Sequence, residues 1–266
     1  MEPAVGERRL LRYGFKSAMD PNYDCRHVVE IEQEPRHHLV FENEYVRAFA
    51  VEIAPHERTL CHHHPNDYLL YVANGAEIIS SPRDEEPKRF TYRDGECELS
   101  PAGLKHVVEN LGDKPFRNVV VELLPRAGEL RRGAEPEVSA EDRPEAGFEA
   151  RTTLILHQER AAIFRLEIEP GASVEISGPA VVATPYENKL NPEALGDIQV
   201  WPHPVCDFAW VPANRRAVLW GCWEHTGRAI VFQIGRTDEQ GYAVSKARTP
   251  LRSLRAAKKE IPRRFE

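Results

Sequence analysis

The hydrophobic positions of this 266-residue chain fall in short runs, many of them alternating with polar residues, and few recur at the helical period. "YVRAFAVEI", "YLLYVANGAEII", "KRFTYRDG", "CELSP", "FRNVVVELL", "AAIFRLEIEP", "VCDFAWVP" and "RAIVFQIG" are closed by turn residues such as "PHE", "NGA", "RDGE", "LGDKP" and "EPGAS". Many short strands with that punctuation predict an all-β chain, built as an antiparallel sandwich or barrel. From about Pro125 to Gly147 the pattern lapses into "PRAGELRRGAEPEVSAEDRPEAG", which reads as a linker between two compact halves.

The halves repeat each other. Val46–Pro55 aligns with Ala161–Pro170, which sets Phe49 on Phe164, Glu52 on Glu167, Ile53 on Ile168 and Pro55 on Pro170. Further along, Pro101 falls on Pro212, and the closing run "NVVVELL" falls on "RAIVFQI". An internal duplication is the economical account.

Composition narrows the class. With 41% hydrophobic and 29% charged residues the chain has the balance of a soluble globular protein. No run approaches the roughly 20 apolar residues that span a bilayer, so no membrane partner is expected. A net charge of -7 argues against a nucleic-acid partner. The basic stretch "KARTPLRSLRAAKKEIPRR" reads as an exposed helix or arm, packed on the body or on the second subunit of a homo-oligomer. The opening residues lack the apolar region of a secretory signal. The five cysteines are odd in number and without a CxxC pair, so no disulfide framework is expected and a reducing cytoplasm is the default.

The candidate chemistry lies in "TLCHHHPNDYLLYV", residues 59–72. On a strand, positions i and i+2 share a face, so His62 and His64 point together while His63 and Cys61 point away. Two imidazoles on one face are half of a metal site. The stretch "GECELSPAGLKHVVEN" offers the rest, with Gly95, Pro101, Gly103, His106 and Asn110. The blander alternative is a solvated histidine loop and a His106 satisfied within the core. Cys97 shares parity with Leu99 and is placed facing the barrel interior; Cys61 and Cys97 both read as small buried hydrophobes.

These two stretches resemble the motifs of the cupin superfamily. Residues 95–110 fit every position of G(X)5PXG(X)2H(X)3N, and His62, His64 and Gly75 fit G(X)5HXH(X)3,4E(X)6G. Two departures stand in the first motif: His56 replaces the opening Gly, and Tyr68 or Leu69 stands where the Glu belongs. The resemblance implies two cupin-type jelly-roll barrels, a bicupin. Its parts are an N-terminal arm (1–37), a metal-bearing cupin (38–125), a linker (126–150), a degenerate cupin (151–236) and a basic tail (237–266).

The resemblance further implies His62, His64 and His106 as ligands of a divalent transition metal (Fe, Mn, Ni, Cu or Zn), with water in the open positions. Tyr68 in the carboxylate's slot is a poor ligand when neutral, and is assigned a catalytic role, donating a hydrogen bond to bound water or substrate. Asp67, one residue short, is the other candidate, since Pro65 can turn the chain. In the second half, Ser177, Pro179 and Ala217 fall on the ligand positions, so no equivalent site is expected; His157, His203 and His225 lack ligand spacing. The function implied is a dioxygenase-type oxidoreductase acting on a small organic molecule. The alternative is a non-catalytic ligand-binding or regulatory bicupin with a structural or sensing metal.

Overall fold

The structure, a computed structural model, describes residues 25–138, 149–185, 190, 198–221 and 225–236. The basic tail and much of the arm and linker lie outside these residues. As expected, the chain is nearly all-β; the described residues hold only two short helical turns, Ile31–Gln33 and Pro125–Glu129.

The N-terminal half contains β1 (Val29–Glu30), β2 (His37–Glu42), β3 (Val46–Ile53), β4 (His62–His64), β5 (Tyr68–Asn74), β6 (Glu77–Pro82), β7 (Lys88–Thr91), β8 (Cys97–Ser100), β9 (Leu104–Asn110) and β10 (Phe116–Leu123). They form two five-stranded sheets, ordered β1-β4-β9-β6-β7 and β2-β3-β10-β5-β8. The rest contains β11 (Glu137–Val138), β12 (Ala150–Gln158), β13 (Ala161–Ile168), β14 (Ser173–Ser177), β15 (Ala180–Pro185), β16 (Val200–Trp201), β17 (Cys206–Val211), β18 (Arg216–Trp220) and β19 (Gly227–Ile234). Here the orders are β11-β14-β18 and β12-β13-β19-β15-β17-β16. The run β2-β3-β10-β5-β8 thus recurs as β12-β13-β19-β15-β17, which is the repeat seen in the sequence.

The packing explains why "VRAFAVEI" and "AAIFRLEI" read as nearly unbroken apolar runs: β3 and β13 are covered on both faces. Phe49, Val51 and Ile53 fill the first barrel with Val72, Phe116 and Val120. On the opposite face Val46, Ala48 and Ala50 enter a core shared with Ile163, Phe208, Ile230 and Phe232 of the second half. Phe164, Leu166, Ile168, Ile176 and Leu219 fill the second barrel. Phe208→Ala opens a void in the shared core and is expected to cost about 3–5 kcal/mol. Denaturant unfolding measures this, and a loss under about 1 kcal/mol would contradict the packing described.

The segment after residue 125 is docked. Leu130 is buried in the shared core, Arg132 donates to the carbonyls of Gln158, Glu159 and Gly235, and β11 pairs with β14. At the other end, residues 25–37 join the first barrel, with β1 running parallel to β4 and pairing Val29 with His62.

One expectation fails here. Cys25 and Cys61 form a disulfide, with Cα atoms 5.2 Å apart. Val29 N–H donates to Cys61 O as β1 comes alongside β4, and that pairing carries Cys25 back to Cys61. Cys61 does point away from His62's face, yet it is cross-linked rather than a free hydrophobe. The pair also removes the cysteine argument for a reducing compartment. No helix among the described residues is long and apolar enough to cross a membrane.

Cys97 differs from its expectation too. It packs toward the core shared by the halves, because Glu98 and Ser100 take the inward positions of β8.

Candidate metal centre

The sheet register brings the motif histidines together. β4 pairs antiparallel with β9 so that His62 lies directly opposite His106, and His64 opposite Leu104. Ring centroids stand 5.0 Å apart for His62–His64, 4.6 Å for His62–His106 and 5.4 Å for His64–His106. His62, His64 and His106 are all buried. His63 points outward, 3.2 Å from the Glu30 carboxylate.

A fourth histidine joins them. His37, the first residue of β2, is buried with its ring centroid 4.5 Å from that of His62. One nitrogen each from His37, His62 and His64 lies within 4.8 Å of the other two. The motif comparison missed His37, which falls outside both motifs. The available signal was "RHHLV" at the head of a strand.

Each ring is oriented through Nδ1 or a neighbour. His62 Nδ1–H donates to Leu60 O (3.0 Å), His37 Nδ1–H donates to Glu34 Oε2 (2.8 Å), and His106 Nδ1 pairs with the Ser80 hydroxyl (2.9 Å). The bonds to Leu60 O and Glu34 Oε2 leave Nε2 of His62 and His37 as the nitrogen with a free lone pair. His62 Nε2 and His64 Nδ1 are buried without any hydrogen-bond partner. Such orphans are costly unless something else fills the place. Burial and the neighbouring imidazoles hold His62 and His64 well below the ordinary histidine pKa, and burial with His37 brings His106 down to about 3. The rings are therefore neutral, as metal ligands must be.

Two carboxylates back the cluster. Burial pushes Glu34 up, but its hydrogen bond and charge contact with His37 and the Leu60 and Arg36 amides outweigh it, and the net shift is downward. Glu122 Oε1 lies 3.6 Å from His64 Nδ1. Its other oxygen accepts from Arg47 Nε (2.9 Å) and Asn66 (3.3 Å), though burial leaves its pKa raised.

Tyr68 is buried, and its ring stacks on His64 at 4.1 Å. Burial pushes its pKa up to about 12, so it is a neutral phenol; its hydroxyl pairs with Ser100. Asp67 is committed elsewhere, accepting from Ala102 N–H (2.9 Å) and pairing with Arg160 of the second half (2.8 Å).

His37, His64, Tyr68 and His106 open onto a cavity of about 230 Å³. Its walls are largely apolar, including Ile53, Leu70, Phe90 and Val120, with Glu98, Ser100 and Asn118 as polar points.

The motif's other positions are structural. Gly95 and Gly103 have φ of 85° and 92°, where a Cβ is disfavoured. His56, which replaces the first Gly, keeps the left-handed backbone with φ of 60°. Asn110 donates to Ile53 O (3.0 Å) and Lys114 O (2.8 Å) and accepts from Gly112 N–H (2.9 Å), binding the barrel's end loops.

In a scan against protein families, the profile described as "Cupin domain" matches residues 49–122. The match lies wholly within the N-terminal half. No curated protein matches the sequence. Among solved structures, a cupin domain from Bordetella pertussis is similar at 23% identity over 33% of this chain and 90% of its own, with TM-score 0.31. AerE from Microcystis aeruginosa is similar at 14% identity over 74% and 96%, TM-score 0.46. A salicylate 1,2-dioxygenase from Pseudaminobacter salicylatoxidans is similar at 12% identity over 71% and 70%, TM-score 0.42.

Among the described residues of the second half, the positions that correspond to the motif histidines carry no imidazole, with one refinement of register. Ala217, on the position of His106, pairs with Ile176, so Ile176 rather than Ser177 is the counterpart of His62, and Gly178 that of His64. Ile176 and Ala217 are part of that barrel's apolar filling.

Proposed function

We propose that the chain is a bicupin whose N-terminal domain holds one divalent transition metal at the buried histidines and acts on a small organic molecule, as a dioxygenase-type oxidoreductase. The observation that carries this reading is the set of buried imidazoles converging beside the cavity, two of whose nitrogens are buried without a partner. The donor set fits a borderline metal such as Fe, Mn, Ni, Cu or Zn. When bound, the ion would supply Lewis acidity and a place for dioxygen and substrate.

The chain's own residues do the remainder. Apolar walls exclude water and hold a compact organic body, which strengthens every polar contact at the cavity floor. Glu98, Ser100 and Asn118 offer groups that orient a polar substrate. Tyr68, held neutral, is placed to donate a hydrogen bond rather than to accept a proton. Tyr68→Phe should therefore retain metal content while weakening ligand binding or turnover by about 1–3 kcal/mol. Loss of the metal from that variant would make the tyrosine a ligand and contradict this role.

Oxygen uptake tests the reaction class. Fe(II)-loaded protein is assayed against thiols, diketones and phenolics, with uptake expected for one class. Metal binding with no uptake under any of the five metals would instead favour a non-catalytic ligand-binding bicupin.

A further inference from the structure

The cupin centre lacks a carboxylate at Tyr68, and its replacement comes from outside both motifs. Resting on the metal-binding reading above, we propose that His37 is the missing ligand and Glu34 its positioning residue. The centre is then a four-histidine set of His37, His62, His64 and His106.

Glu34 is 1% exposed, and both its oxygens are engaged. Oε2 accepts from His37 Nδ1–H (2.8 Å) and Arg36 N–H (2.8 Å), while Oε1 accepts from Leu60 N–H (3.1 Å). The carboxylate is thus no ligand itself; it orients one. The Leu60 peptide has two roles, since its N–H binds Glu34 and its C=O accepts from His62 Nδ1–H (3.0 Å). One short network therefore fixes His37 and His62 together and turns both Nε2 atoms to the same place. A buried carboxylate behind a ligating imidazole is the usual way proteins set ring orientation and raise basicity. The short turn Ile31–Gln33 and the β2–β3 pairing of His37 with Val51 hold the histidine at the barrel mouth.

The repeat supports a specific role for the residue. Val51 corresponds to Leu166, which pairs with Thr152, so the second half has a threonine where the first has His37.

The test uses the full chain, stripped of metal. Co(II) titration followed by d–d absorption gives affinity, and pulsed electron paramagnetic resonance on the Cu(II)-loaded protein counts coordinated imidazoles. The parent is expected to bind one ion through four imidazoles. Glu34→Gln should keep that count but lower affinity about 10- to 100-fold. His37→Ala should lose one imidazole and weaken binding further. Three imidazoles in the parent, or unchanged count and affinity in His37→Ala, would overturn the assignment while leaving a metal-binding cupin in place. A parent that takes up neither Co(II) nor Cu(II) would overturn both. The count in the parent decides the matter even if a variant fails to fold.

Discussion

His62→Ala is expected to leave the protein, loaded with Zn(II) or Co(II) and desalted, without bound metal, whereas His63→Ala should keep about one ion per chain. His62 is fully buried at the back of the cluster, opposite His106 and beside His37, and its Nε2 has no other partner. Removing it deletes one donor and also the shortest ring contacts that β4's histidines make with those of β2 and β9. His63 is one residue away but on the opposite face, beside Glu30, and contributes nothing to the pocket. Elemental analysis of both variants reads the result. Retained metal in His62→Ala, or loss in His63→Ala, would mean that the strand faces are reversed.

Removing the Cys25–Cys61 cross-link is the second large effect expected. The bridge closes a loop with a sequence separation of 36, and the chain-entropy relation gives about 3–4 kcal/mol for a loop of that length. The loop includes the turn that carries Glu34 and His37, and Cys61 directly precedes His62, so the loss is local as well as global. Cys25→Ser/Cys61→Ser should lower the unfolding free energy by this amount, read as a lower denaturant midpoint at unchanged slope, and loosen the first strand before the barrel. An unchanged midpoint would show that packing of Cys25 and Cys61 against Val107 suffices without the bond.

Much of this was legible in the residues. Turn-bounded strands announced an all-β chain, and alternation alone put His62 and His64 on one face with His63 on the other. His106 lies beside His62 because its strand, β9, runs alongside β4. Three things were not legible. His37 reaches the cluster through β2's pairing with β3, a long-range register that no local spacing encodes. The disulfide depends on β1 running parallel to β4, whereas counting cysteines carries no information about which segments return to each other. Aligning the halves from Pro55 and Pro170 put Ser177 on His62; the loop before β14 is one residue shorter, and only the pairing of Ile176 with Ala217 reveals it. Asp67 pairs with Arg160 of the other half, a partner that sequence proximity cannot suggest.

The most direct measurement is anomalous scattering from crystals of the metal-loaded protein, collected at the absorption edge of the loaded ion. The account predicts one strong peak per chain among His37, His62, His64 and His106, with none in the second barrel. No peak at the histidines, or a peak elsewhere in the chain, would contradict it.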